Sequence, residues 1–289
     1  MVPVTVRVRR EKGFTLAELL VVLVLASVVA AAICQALQSN QRFYRSQSQV
    51  LDVEEGLRAV AQLLPAELRE PNARGGDVIA TGRDSITLRA MRSLGVICSP
   101  PNVSAGAVVI ADSLSFGWRA VDPSRDRALV FRDGDESSAD DDRWLDFGVA
   151  GTSPGATCGD GSAGTVLRLT GPTSELDGVS SGSPLRTYER VTYRLYTDDQ
   201  GLSWLGERGY SDGAWSPLSP VAGPLRRAGG LSFDYYDSAG APATLASGVA
   251  RIGVSVRGLS AGPIAVPGRA TSGRQYADSV VAQVTLRNN

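Results

Sequence analysis

The sequence predicts an α+β protein. A long N-terminal helix, membrane-spanning in its first half and amphipathic in its second, packs on an antiparallel β-sheet head. Three observations predict this. Residues 19–37 form an apolar run in which Ser27 and Gln35 are the only strongly polar side chains. The next thirty residues turn polar but keep a helical period. From residue 72 the pattern changes to period two, punctuated by Gly, Pro, Ser and Thr. The chain divides accordingly into a basic leader (1–13), a spanning helix (14–38), an amphipathic extension (39–71) and a β-rich head (72–289).

The leader carries Arg7, Arg9, Arg10 and Lys12 against Glu11, a net +3, which leaves −4 on the remainder of a chain whose formal net charge is −1. Basic residues before a spanning helix keep that end in the cytoplasm and put the head outside. With residues 14–17 the apolar run is long enough to cross about 30 Å of hydrocarbon as a helix. It contains no Gly or Pro. Glu18 sits just inside its start, where a charged side chain costs on the order of 3 kcal/mol on insertion scales. A secretory signal with a shorter core, or a plain anchor, leaves that acid unexplained.

In the extension, Leu57, Val60, Ala61, Leu64 and Leu68 fall on one helical face. Pro65 should kink or end the helix, and a hinge near residues 39–40 is an alternative to one continuous rod. The head offers candidate strands at 85–91, 95–98, 107–111, 114–121, 128–132, 143–149, 165–170, 188–197, 202–208, 231–237, 250–258 and 279–287. Val191, Tyr193 and Leu195 alternate with Thr192, Arg194 and Tyr196, and Ile252, Val254 and Val256 alternate with Arg251, Ser255 and Arg257. Half-buried antiparallel strands have this pattern, and the amphipathic helix is the natural cover for their apolar face. Segments 151–164 and 171–187 are rich in Gly, Ser, Pro and Thr and are expected as surface loops.

Composition excludes several chemistries. The chain has no histidine, and its single lysine, Lys12, lies in the leader. Serine hydrolysis then lacks its base, and most zinc sites lack their ligands. No glycine fingerprint for phosphate lies between a strand and a helix start. A mildly acidic body gives no electrostatic footprint for nucleic acid, which is not expected as a partner. In an exported head Cys98 and Cys158 can pair as a disulfide; two free buried thiols are the alternative. The acidic run 133–142 holds Asp133, Asp135, Asp140 and Asp142, oxygen donors of the kind calcium takes, but its spacing is not that of an EF-hand. A solvated acidic loop is the plainer account, and no other cofactor is expected. Trp204, Tyr210 and Trp215 read as core aromatics under a hairpin, with an exposed contact patch as the alternative.

One sequence of residues is more specific. A basic leader, Gly13, then Phe14-Thr15-Leu16-Ala17-Glu18 and an apolar helix resembles the cleavage and methylation site of type IV prepilins and type II secretion pseudopilins. The resemblance implies a pilin-like fold and no enzymatic activity of its own. It implies that a prepilin peptidase cuts between Gly13 and Phe14, and that the new Phe14 amine is methylated. It further implies that Glu18 pairs with the Phe14 amine of a neighbouring subunit. Partners are then the peptidase, other pilins or pseudopilins through the helix, and the inner membrane, with the head in the periplasm. The size of the head and phrases such as "VTYRLYTDDQGLSWLGER" and "LSFDYYDSAG" resemble the minor pseudopilin J component of type II secretion (PulJ/GspJ) and PilW-type minor pilins. Their role in initiating or capping a pseudopilus or pilus comes with that resemblance. Other roles stay open: an adhesive or DNA-capturing tip subunit with the same leader, or an anchored, exported enzyme.

Overall fold

The computed structural model describes residues 13, 15–117, 119–134, 137–138, 140–264 and 274–287. Helix α1 (Leu16–Arg69) is one unbroken element of 54 residues, about 80 Å long. There is no hinge at residues 39–40. Pro65, expected to break the helix, lies inside it. Its neighbours Leu64 and Leu68 are fully buried. Burying each gives about 1.5–3 kcal/mol, enough together to offset the roughly 3 kcal/mol that an interior proline costs. Residues 15–45, with Phe14 outside the described set, are exposed along their whole length. The second half buries Val53, Gly56, Leu57, Val60, Leu64 and Leu68. Ala61, expected on that face, sits half-buried at its edge.

The head is antiparallel throughout: β1 (Val78–Thr81), β2 (Ser85–Val96), β3 (Ala107–Ala111), β4 (Phe116–Gly117), β5 (Asp126–Arg132), β6 (Arg143–Thr157), β7 (Ala163–Thr170), β8 (Pro184–Thr197), β9 (Ser203–Ser211), β10 (Ala214–Trp215), β11 (Ser219–Leu225), β12 (Leu231–Tyr236), β13 (Arg251–Ile264) and β14 (Arg274–Thr285). Strand β8 is the hub. Along one edge it pairs with β2; along the other it pairs first with β5 and then with β9. From β9 the sheet continues through β11 to β13, which also carries β12 and β14. The helix lies across this half, and the core beneath it includes Leu88, Val191, Tyr193, Leu205, Ile252 and Val254.

Close approach of helix to sheet requires glycine. A Cβ on Gly56 would sit 2.8 Å from the Gly223 carbonyl carbon and 3.0 Å from its nitrogen, with the carbonyl oxygen nearer still. Gly223 lies in β11, whose two prolines coincide with register shifts on either side of Ala222. Prolines are accommodated in sheets at such irregularities.

The other half of the head has its own core, which the alternation of single strands did not anticipate. Ile97, Val108, Val130, Phe147, Leu167 and Leu185 cluster away from the helix. The sheet itself encloses them. The order β2-β8-β5-β6-β7-β3 returns to its start through a bridge between Ile97 and Ile110, beside a 2.9 Å bond from the Cys98 N–H to the Val109 carbonyl. Register shifts at Val149/Gly151 and Pro154/Ala156 bend β6 within this ring. Much of segment 151–164, expected as loop, is therefore strand, and β8 begins within segment 171–187, at Pro184. The expected strand 114–121 is reduced to β4 after a 3-10 turn at Asp112–Leu114, and Trp118 lies outside the described residues.

Candidate assembly site

The start of α1 is built by Thr15 and Glu18. The Thr15 hydroxyl accepts a bond from the Glu18 N–H at 3.3 Å. The Glu18 Oε2 in turn accepts from the Thr15 N–H at 2.9 Å and from its hydroxyl at 3.0 Å. This reciprocal capping box satisfies donors that a helix N-terminus otherwise leaves open. Glu18 is thus satisfied locally, and among the described residues both bonds end on Oε2. Among the described residues no bond ends on its second carboxylate oxygen. Further along, the Ser27 hydroxyl donates to the Val24 carbonyl at 2.7 Å, so this polar group also needs no water.

This helix is long and apolar enough to cross a membrane, and its apolar window is not covered by the head at all. The head grips only the distal part. Gly56 allows the backbones to meet, and Gln49 accepts from the Gly262 N–H at 2.9 Å. Near the distal end an ion network crosses from helix to sheet. Glu67 takes Arg92 at 3.0 Å, and Arg92 takes Glu189 at 3.2 Å. Glu189 also receives Arg119 at 3.0 Å, which forks onto Asp126 at 2.6 and 2.7 Å. Burial pushes the Glu67 carboxyl up against the opposing pull of Arg92. Burial and the charges of Glu189 and Glu67 push Glu207 up as well. Sequence reasoning did not find this network: its members lie up to 122 positions apart, and no local spacing relates Glu67 to Glu189.

The remaining candidates fall apart into separate places. Gly13 is exposed and Phe14, with the leader, lies outside the described residues. Cys98 and Cys158 form a disulfide at the seam of the second core. Asp133, Asp140 and Asp142 lie on the connection between β5 and β6, and Asp135 lies outside the described residues. Among the described residues, no group of three or more His, Cys, Asp or Glu is gathered as a metal site would gather them. The aromatic expectation needs correction: Trp215 is 37% exposed and meets Tyr210 edge to face at 5.2 Å on the surface. Trp204 is half-buried with its Nε1 donating to Asp198 at 2.8 Å. Tyr210 and Trp215 both belong to the β9–β10 hairpin, where Trp215 pairs with Tyr210 and Ala214 with Ser211.

No curated protein and no solved structure matches the chain. Residues 8–33 match the family model described as the prokaryotic N-terminal methylation motif. The match spans the end of the leader, Gly13, Phe14, the Thr15–Glu18 cap and most of the bare apolar helix. It supports the type IV prepilin and pseudopilin family, whose members are structural subunits processed by a prepilin peptidase, and it identifies the chain's N-terminal segment as a prepilin-type methylation motif.

Proposed function

We propose that this chain is a minor pseudopilin or minor pilin subunit. After leader cleavage and N-methylation it helps to initiate or cap a type II secretion pseudopilus or a type IV pilus. The observation that carries the proposal is the bare, capped half-helix joined without a break to a half-helix buried in a large head. In hydrocarbon the first half anchors; in a bundle of like helices the same surface packs against neighbours. Glu18, already satisfied through Oε2, meets the Phe14 amine of the next subunit, and each charge offsets the desolvation of the other. The pair fixes the axial register. Before processing the N-terminus is cytoplasmic, the helix crosses the inner membrane once, and the head stands in the periplasm. No cofactor takes part.

Two substitutions test this. Gly13→Val should leave the leader attached; a mass spectrum that still shows a new N-terminus at Phe14 overturns the cleavage assignment. Glu18→Val should be processed normally yet fail to enter sheared fibres or cross-linked assemblies. Wild-type incorporation of that variant overturns the pairing.

A further inference from the structure

Strand β14 is an outer strand of the sheet, and among the described residues it pairs with β13 alone. Two bonds show which of its backbone groups that pairing uses. The Tyr276 N–H donates to the Ser260 Oγ at 2.9 Å, and the Leu286 N–H to the Ala250 carbonyl at 3.0 Å. The even-numbered residues therefore turn their backbone groups toward β13. Successive residues of a strand point these groups to opposite edges, so the odd-numbered ones face outward. Two outward N–H groups have partners. Ser279 donates to the Asp278 carboxylate at 2.7 Å, and Arg287 to the Arg69 carbonyl at the end of α1 at 3.0 Å. Among the described residues nothing bonds to the outward backbone groups of Gln275, Ala277, Val281 or Gln283. Folded proteins blunt an open edge with lysine, proline, a bulge or a cover. Residues 275–285 contain no Lys, Pro or Gly, and Asp278 is their only charge. From Ala277 to Thr285 the register with β13 runs without a shift. Val281, at the middle of the row, is 71% exposed.

We infer that this edge receives an extended, uncharged strand from the head of a neighbouring subunit, which continues the sheet beyond β14. A row of open donors and acceptors matches an extended polypeptide, which repeats the same groups every second residue, about 6.6 Å apart. The side chains of the row, Gln275, Ala277, Ser279, Val281 and Gln283, hold no charge that would offset one on the incoming strand. The edge is also continuous with α1. The Tyr276 hydroxyl donates to Glu54 at 3.3 Å, and Arg287 closes on Arg69. A subunit whose helix packs beside α1 thus brings its head to β14. A second copy of this chain pairing β14 with β14 does not fit. Two identical edges pair antiparallel about a two-fold axis normal to the sheet, which reverses one α1 against the other. Helices that enter one membrane with their heads on the same side run parallel. The naming of a subunit as partner rests on the assembly proposal; the strand addition rests on β14.

The test places benzoylphenylalanine, a photo-activated cross-linker, at Ala277 of the full chain in its native cells. Irradiation should give an adduct whose partner, identified by mass spectrometry, carries the same kind of N-terminal methylation motif. Val281→Pro removes an outward N–H and no bond to β13, so the melting temperature in detergent should hold while the adduct falls about tenfold. Val281→Lys, which charges the edge and keeps the backbone, should lower the adduct as well. No adduct, an adduct with a second copy of this chain, or one with a protein lacking the motif overturns the inference. So does an adduct undiminished in both variants. Entry of the wild-type chain into sheared fibres is read in the same cells. Wild type in fibres without the adduct refutes the edge pairing alone. Wild type absent from fibres refutes the assembly proposal, and the adduct then still decides the edge pairing.

Discussion

Gly56→Ala sets two effects of opposite sign against each other. Alanine in place of a mid-helix glycine favours the helix by about 1 kcal/mol. The new methyl would meet backbone atoms only, the Gly223 carbonyl group and nitrogen, with the carbon at 2.8 Å. Ordinary contact begins near 3.4 Å, so α1 must retreat from β11 by at least about half an ångström. That shift loosens Val53, Leu57 and Val60, all buried against the sheet, and a gap of 0.5–1 Å forfeits about a quarter to a half of each dispersion contact. Overpacking typically costs about 1–3 kcal/mol. Because no rotamer can relieve a clash between backbones, the upper part of that range applies. The net expectation is a loss of about 1–2 kcal/mol. Urea unfolding of the full chain in detergent micelles, followed by tryptophan fluorescence, reads it as a lower midpoint at unchanged slope. An equal or higher midpoint would refute the claim that glycine is required at this crossing.

Replacing both Cys98 and Cys158 by alanine opens a loop of 60 residues, which in the chain-entropy treatment costs about 4 kcal/mol. The loss should be local: amide exchange should quicken around Ile97, Val108 and Phe147 more than around Val191 or Ile252, and uniform exchange across both cores would contradict the two-core description. Glu207→Gln should be stabilising at neutral pH and indifferent in acid. The folded carboxyl titrates above its ordinary value of 4.5 because burial and Glu189 disfavour its charge, so its penalty is full above the folded pKa and vanishes as pH falls below the unfolded one. Urea midpoints of wild type and variant at pH 4 and pH 7.5 check the sign; a variant less stable at pH 7.5 would show that attraction by Arg92 and Arg125 dominates instead.

The parts legible in the sequence are those whose signal is local and periodic. The apolar run, the face formed by Leu57, Val60, Leu64 and Leu68, and strands such as β3 and β12 follow from spacing within a dozen residues. The misses share a different cause. Strand β11 is absent from the expected strands: Pro220, Gly223 and Pro224 are turn residues, yet its irregular register takes them inside a sheet. The far part of β6 reads as loop because bulges around Gly151 and Pro154 erase the period of two. Pro65 breaks no helix because Leu64 and Leu68 are held by strands far away in sequence. At Pro65 and in β11 tertiary burial outweighs a local preference of a few kcal/mol, whereas the far part of β6 is mostly exposed and is held by its ladder to β7. The methylation motif is legible for the opposite reason: Gly13, Phe14 and Glu18 lie within six positions of the matched segment.

The capping box changes what Glu18 means for the membrane helix. An acid with no local partner would have to reach water or a cation before the helix could settle in hydrocarbon. Here the bonds from Thr15 already satisfy one carboxylate oxygen within a single turn, so the helix can wait in the bilayer as a monomer. In the proposed assembly the neighbour's amine adds charge neutralisation at the other oxygen, and does so only when subunits stand in one axial relation. Thr15→Val should therefore weaken the waiting state without removing the pairing charge. The expected outcome is normal cleavage with less monomer held in the inner-membrane fraction, while Glu18→Val retains the monomer and loses the assembly. If Thr15→Val instead reproduced the Glu18→Val defect in assembly, the cap and the pair would be one function, and the division of labour between the two oxygens would be wrong.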